Sequence, residues 1–340
     1  MKLTAKDLVK LLEPLKLGNG KLSTGIQSGY VVVSDNIAYT FSGDIYAQIT
    51  LPDTMQFGGP EEGCTPYKSL VDMIKKYDGK EVTINVQDNK LVIASGRSRT
   101  RLTWETDVCV PRGVVGDPID TAWKPLPKYF ATAIKECEEV VDVRRECSLL
   151  STVHVTPSFI EAASPARVVR CKCALDIEQD FLFNAGQLST LFDYPLTEYQ
   201  VVDPRWFFVR GNNIMFGIPM HFEPYLEEMD ALFSKPGKTF ILDGVSVSDI
   251  KLAQAILDKG KQLNVTIKDG KCVISGVGYC GSHLVEADVD TQLDDSFSIS
   301  PVDLCHILER TTVCTLGEKT LGIETDDLKY IATIERKNLK

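Results

Sequence analysis

Apolar residues recur along the chain in two rhythms. Six short segments carry them at helical spacing behind a Thr-, Ser- or Pro-type starter: KLTAKDLVKLL (2–12), CTPYKSLVDMI (64–74), PLPKYFATAI (125–134), FLFNAGQLSTLF (181–192), ILDGVSVSDIKLAQAIL (241–257) and FSISPVDLCHIL (297–308). With Leu8, Leu70, Phe130, Leu188, Leu252 and Leu304 taken as equivalent core positions, the segments recur at intervals of 52 to 64 residues. Thr4, Thr65 followed by Pro66, and Ser300 followed by Pro301 each place a capping hydroxyl ahead of a helix, with Pro in the first turn. Between the helices the rhythm changes to alternation. YVVVSDNIAYTFSGDIYAQITL (30–51) reads as a meander, and VTINVQDNKLVIASG (82–96) and LNVTIKDGKCVISG (263–276) as hairpins around Asp-Asn and Asp-Gly turns. The two hairpins share the order strand, Asp-x-Lys turn, Val-Ile, Ser-Gly, so they are copies.

Each unit is thus one short helix and about three strands, an α+β architecture. Paired units make three domains, 1–112, 123–226 and 238–340, with breaks in PRGVVGDPIDTAWKP (111–125) and EEMDALFSKPGK (227–238). A solenoid explains the pattern less well, because solenoid repeats run about 20–50 residues.

Composition narrows the function. The 340 residues are 44% hydrophobic and 25% charged, ordinary globular usage that excludes a disulfide miniprotein or a largely disordered chain. The N-terminus carries Asp7 and Lys10 where a secretory segment is apolar, so a cytoplasmic, membrane-free protein is expected. The ten cysteines (Cys64, Cys109, Cys137, Cys147, Cys171, Cys173, Cys272, Cys280, Cys305, Cys314) sit in apolar runs and read as reduced core residues. A formal charge of -10 argues against coating by nucleic acid through overall charge and leaves room for a local basic surface.

Catalytic chemistry finds no constellation. His154, His221, His283 and His306 lie in no metal-binding spacing, and Cys171 and Cys173 have no second pair at zinc-ribbon distance. Phosphate-binding glycine loops and a GxSxG elbow are missing. No cofactor, metal or catalytic residue is expected, and the chain is not expected to be an enzyme.

Lysines are informative by position. The helical segments or their flanks carry Lys2, Lys6, Lys10 and Lys16; Lys68, Lys75 and Lys76; Lys124, Lys128 and Lys135; and Lys251, Lys259 and Lys261. Any one such helix reads as a solvated face. Recurrence on four of six equivalent elements in an acidic protein points equally to a common surface that meets phosphates nonspecifically.

At these residues a resemblance enters. CTPYKSLVDMIKKYDGKEVTINVQDNKLVIASGRSRTRL (64–102) resembles the second half of the first domain of the bacterial DNA polymerase sliding clamp, the β subunit. The DVRR segment (142–145), FIEAASPARVV (159–169) and the terminal helix-plus-strands unit are similar to it at the level of pattern. The resemblance implies three duplicated domains, with two chains closed head to tail into a ring whose helices line the hole. Such a ring encircles duplex DNA without sequence readout and tethers a polymerase and clamp loader through short peptides.

It also implies residue roles. Lys21, Arg144 and Arg145 match family positions that face the hole, joining the helix lysines. Arg97, Arg99 and Arg101 alternate along the last strand of SGRSRTRL, so all three project from one face. In the family the corresponding basic strand meets an acidic segment of the third domain, here Asp288, Asp290, Asp294 and Asp295, to make a homodimer. The partner-peptide pocket maps to Val168, Pro224, Tyr225, Met229, Ile331, Ala332 and Thr333. Ser164-Pro165-Ala166 and the ending IERKNLK depart from the family pattern, as suits a bacteriophage or otherwise divergent clamp. A clamp-fold adaptor or decoy that does not encircle DNA is the competing expectation, and oligomeric state separates the two.

Overall fold

The computed structural model describes residues 3–20, 28–52, 62–108, 118, 120–142, 148–186, 188–202 and 205–336. Seven helices occur among them: α1 (Ala5–Leu12), α2 (Tyr67–Lys75), α3 (Phe130–Val140), α4 (Leu188–Leu191), α5 (Met229–Phe233), α6 (Val247–Ile256) and α7 (Pro301–Leu308). All six expected helical segments contain one. The third is displaced C-terminally, because Pro125 and Pro127 hold the chain extended ahead of Phe130. The added helix α5 falls in the expected break 227–238.

Only part of the expected capping is realised. Thr4 Oγ1 accepts from the Asp7 amide at 3.1 Å, and Ser246 caps α6 in the same way through the Asp249 amide at 3.2 Å. Thr65 and Ser300 do not cap through their side chains. Thr65 belongs to the strand Gly63–Pro66, which runs directly into α2, and its hydroxyl is buried there.

Contacts divide the chain into two compact units, each drawn from separate stretches: 1–131 with 176–222, and 132–175 with 223–340. In the first unit a four-stranded sheet runs Leu3–Thr4, Glu81–Gln87, Lys90–Ser95, Ser98–Thr103. An eight-stranded sheet runs Gly63–Pro66, Tyr30–Ser34, Ile37–Phe41, Tyr46–Thr50, Ile214–Pro219, Trp206–Gly211, Glu198–Val202, Lys124–Pro125. At its centre, the strands of two expected domains pair antiparallel, Ala47 opposite Phe216. Its core packs Val32, Tyr39, Tyr46, Trp206 and Phe208, and Phe207 stacks between Phe130 and Tyr199 with centroids 5.7 and 5.4 Å away.

In the second unit, a sheet carries Thr152–Val155, Phe159–Ala163, Arg167–Lys172, Leu328–Thr333, Thr320–Glu324, Val313–Leu316 and Lys238–Ile241 in that order. A five-stranded sheet runs Gly281–Asp288, Lys271–Gly278, Leu263–Lys268, Asp295–Ile299, Glu335–Arg336.

The two copied hairpins fold alike. Asp88-Asn89 (φ 51° and 53°) and Asp269-Gly270 (φ 51° and 74°) put both central turn residues in the left-handed region, the geometry that follows the strands' right-handed twist. Each hairpin is followed by a third strand at the sheet edge, Ser98–Thr103 in one unit and Gly281–Asp288 in the other.

Of the six positions taken as core, Leu8, Leu70, Phe130, Leu188 and Leu304 are buried, whereas Leu252 is 57% exposed. Ile250 and Ala253 supply the buried face of α6 instead. Of the eight cysteines described, all free, only Cys280 is exposed; it lies in the turn ahead of the edge strand. Burial pushes the Cys173 thiol up to about 11 and Cys272 and Cys314 to about 12, so these behave as inert core groups.

Candidate functional site

Helices α1 and α2 pack on each other in the first unit. Ala5, Leu8 and Leu12 bury one stripe, and Tyr67, Leu70, Val71 and Ile74 the other. The Tyr67 phenol donates to the Leu12 carbonyl at 3.1 Å, locking the pair. Lys6 and Lys10, four apart and so on one helix face, stay exposed, as do Lys68, Lys75 and Lys76. Among the described residues none of these five forms an ion pair. Asp7 is engaged at the Thr4 cap, and Asp72 is the one acid within α2. Lys6 and Lys10 on α1, Lys68 and Lys75 on α2 and Lys76 at its C-terminal cap are exposed cations able to neutralise phosphates without reading bases.

In the second unit α6 and α7 likewise pack on each other, but Lys251 of α6 and two arginines beside α7 are held in ion pairs. Lys251 pairs with Glu309 at 3.0 Å, which raises the lysine and lowers the acid. Arg310 grips Glu136, and Arg167 Nε meets buried Asp303 at 2.6 Å. The Tyr330 phenol donates to the same Asp303 at 2.8 Å. His306, buried on α7, packs against Tyr330 with ring centroids 4.2 Å apart and planes tilted by 33°. Burial, with Arg310 and Arg167 nearby, pushes its imidazole down to about 4, so it is neutral at pH 7. Burial and Glu136 push the Glu139 carboxyl up.

The remaining expected phosphate contacts are dispersed. Lys128 is exposed in the turn before α3, Lys259 is exposed in the turn after α6, and Lys135 is half-buried on α3. Lys124 pairs with Asp176 at 2.8 Å. Lys2, Lys21, Arg144 and Arg145 lie outside the described residues.

The two edge strands differ in chemistry. Ser98–Thr103 pairs only with Lys90–Ser95 among the described residues, leaving a row of backbone donors and acceptors open. Arg99 and Arg101 project from one face, opposite Ala94 and Val92. Arg97 does not alternate with them, because it occupies the tight turn after Gly96. Among the described residues Gly281–Asp288 pairs only with Lys271–Gly278, and it exposes Ser282, Leu284, Glu286 and Asp288 on one face. Asp290 is exposed beyond it. Asp294 accepts the Asp269 amide at 3.2 Å, and Asp295 is held by Arg336, so these two are engaged within the unit. Sequence reasoning, which weighed charge alone at this edge, missed the exposed Leu284.

Around the expected peptide pocket, Val168 and Ile331 are direct cross-strand neighbours. Val168, Tyr225, Met229 and Ala332 are buried, Ile331 is half-buried, and Pro224 and Thr333 are exposed. Ala332, with no exposed surface, is a core residue, since it alternates to the opposite face from Ile331. Tyr225 lies against His154 at 4.6 Å. An unexpected clip secures α5 nearby: Arg170 sits between the Phe159 and Phe233 rings at 4.2 and 4.8 Å and bridges buried Glu161 and Asp230, both at 2.7 Å.

No family model matches the chain, and no curated protein matches it either. Solved structures do. The DNA polymerase sliding clamp from Bacillus subtilis superposes with a TM-score of 0.81 at 16% identity, covering 99% of this chain and 98% of that one. The DNA polymerase III subunit beta from Pseudomonas aeruginosa gives 0.80 at 12% identity, covering 99% and 100%. The Helicobacter pylori beta clamp, solved bound to a DNA ligase peptide, gives 0.78 at 12% identity, covering 99% and 100%. The mixed α+β chain therefore has the sliding-clamp fold along nearly its full length. Among the described residues no helix is long and apolar enough to cross a membrane.

Proposed function

We propose that this chain is a sliding clamp: a non-enzymatic processivity factor that closes around duplex DNA as a head-to-tail homodimer and tethers a polymerase and a clamp loader. The observation that carries this reading is the unpaired lysine surface of α1 and α2 on a clamp fold in an acidic protein. Lys6, Lys10, Lys68, Lys75 and Lys76 hold phosphates loosely, while the net charge of -10 keeps DNA off the remaining surface. The expected domains 1–112, 123–226 and 238–340 form the ring segments. Closure pairs the open edge Ser98–Thr103 of one chain with Gly281–Asp288 of the next, Arg99 and Arg101 facing Asp288 and Asp290. Partner peptides dock beside Val168, Pro224, Ile331 and Thr333, over the wall formed by Tyr225 and Met229.

A second reading, a clamp-fold adaptor that does not encircle DNA, draws support from the second unit, where Lys251, Arg310 and Arg167 are neutralised by acids. Light scattering distinguishes the two. A wild-type dimer that falls to monomer mass on the double change Arg99→Glu, Arg101→Glu, and that is retained on nicked circular DNA but lost on linearisation, fits the clamp. A wild-type monomer at micromolar concentration favours the adaptor.

A further inference from the structure

Between α3 and α7 of the second unit lies a cluster that the proposed function does not use. Glu136 and Glu139, three apart on α3, face His306 on α7, and one donor atom from each of the three lies within 4.8 Å of the other two. His306 Nε2 stands 3.3 Å from Glu136 Oε2, and both atoms are buried without a hydrogen-bond partner. The His306 side chain is only 9% exposed, so water does not satisfy its nitrogen from outside. Glu139 Oε2 lies 3.5 Å from Nδ1 of the same ring, on a side chain 66% exposed and able to rotate.

We propose that Glu136, Glu139 and His306 bind a divalent transition-metal cation of the zinc type. A tetrahedral ion with nitrogen and carboxylate ligands at about 2.0–2.2 Å holds those ligand atoms about 3.3–3.5 Å apart, the separation already present between Nε2 and Oε2. Two carboxylates and a neutral imidazole form a hard-to-borderline donor set suited to such an ion. Arg310 fixes the other oxygen of Glu136, and Tyr330 packs against the imidazole, so the surroundings orient two of the three ligands. The cation relieves the repulsion between the two carboxylates, and its fourth position opens toward solvent on the Glu139 side. It would act as a cross-link between α3 and α7, and it stands independently of whether the chain encircles DNA.

Zinc titration of the chelator-stripped full-length chain tests this, by calorimetry and thermal unfolding, with X-ray absorption at the zinc edge to identify the ligands. One ion per chain, a raised melting temperature, an imidazole-and-oxygen coordination shell and at least about tenfold weaker binding in Glu139→Gln are expected. Glu139 is mostly exposed, so this variant keeps the metal-free melting temperature; His306→Gln removes binding. No uptake below about 100 μM zinc, uptake unchanged in Glu139→Gln, or sulfur in the coordination shell overturns the assignment. The sulfur outcome matters because Cys280 is exposed.

Discussion

Helices α1 and α2 of the first unit and α6 and α7 of the second are both packed pairs beside a copied hairpin. Their charges are employed differently. In the first pair the lysines lie outside a mostly apolar contact and, among the described residues, meet no acid. In the second, acids on α3 and at the end of α7 draw the cations into ion pairs, and a histidine and an aspartate occupy buried places on α7. Duplication of a helix-plus-strands unit thus fixes where the helices stand without fixing what they do. A surface for polyanions needs cations whose counterions are released on binding, and a cation already held by a carboxylate has little to release.

The largest effect that sharpens this contrast is on stability. Arg310→Ala strands Glu136, a carboxylate with 13% of its side chain exposed, and is expected to lower the unfolding free energy by about 3–5 kcal/mol in denaturant titration. Lys10→Ala, on an exposed face, is expected to change it by no more than about 0.5 kcal/mol. Comparable losses from the two variants would break the contrast. Next in size is duplex DNA binding followed by anisotropy across salt concentrations. Replacing Lys6, Lys10, Lys68 and Lys75 together by Ala is expected to flatten the slope of log affinity against log salt by up to about 3.6, the loss of four phosphate contacts. Smallest is Glu309→Gln, which releases Lys251. It is expected to steepen the same slope by about 0.9, whereas Lys251→Ala leaves it nearly unchanged. An unaltered slope in Glu309→Gln would mean that Lys251 does not reach the DNA.

Local rules made much of the fold legible. Alternation and Asp-Asn or Asp-Gly turns located both copied hairpins, and helical spacing located all six expected helices. Rules that need a neighbour failed where that neighbour is distant. The apolar residues of VSDIKLAQAI occupy more than one side of α6, so spacing alone could not separate Ile250, which is buried, from Leu252, which is not. Thr65 has the chemistry of a cap, but the sheet claims it first. Among site residues, the lysines of α1 and α2 were readable because a helix fixes which face they share. The cluster of Glu136, Glu139 and His306 was not, because only the fold brings α7 to α3, and His306 viewed alone carries no ligand spacing. Arg97 was misplaced by a single residue of turn, which sufficed to remove it from the strand's alternation.

The central pairing of the eight-stranded sheet has a consequence in time. Tyr46–Thr50 finds its partner, Ile214–Pro219, about 170 residues later in the chain. At synthesis rates of about 5–20 residues per second, that strand leaves the ribosome roughly 10–30 s before its neighbour exists. During this interval its outer backbone groups are open to any passing strand, and overexpression at high temperature is expected to drive the nascent chain into inclusion bodies through this edge before the finished protein shows any instability of its own.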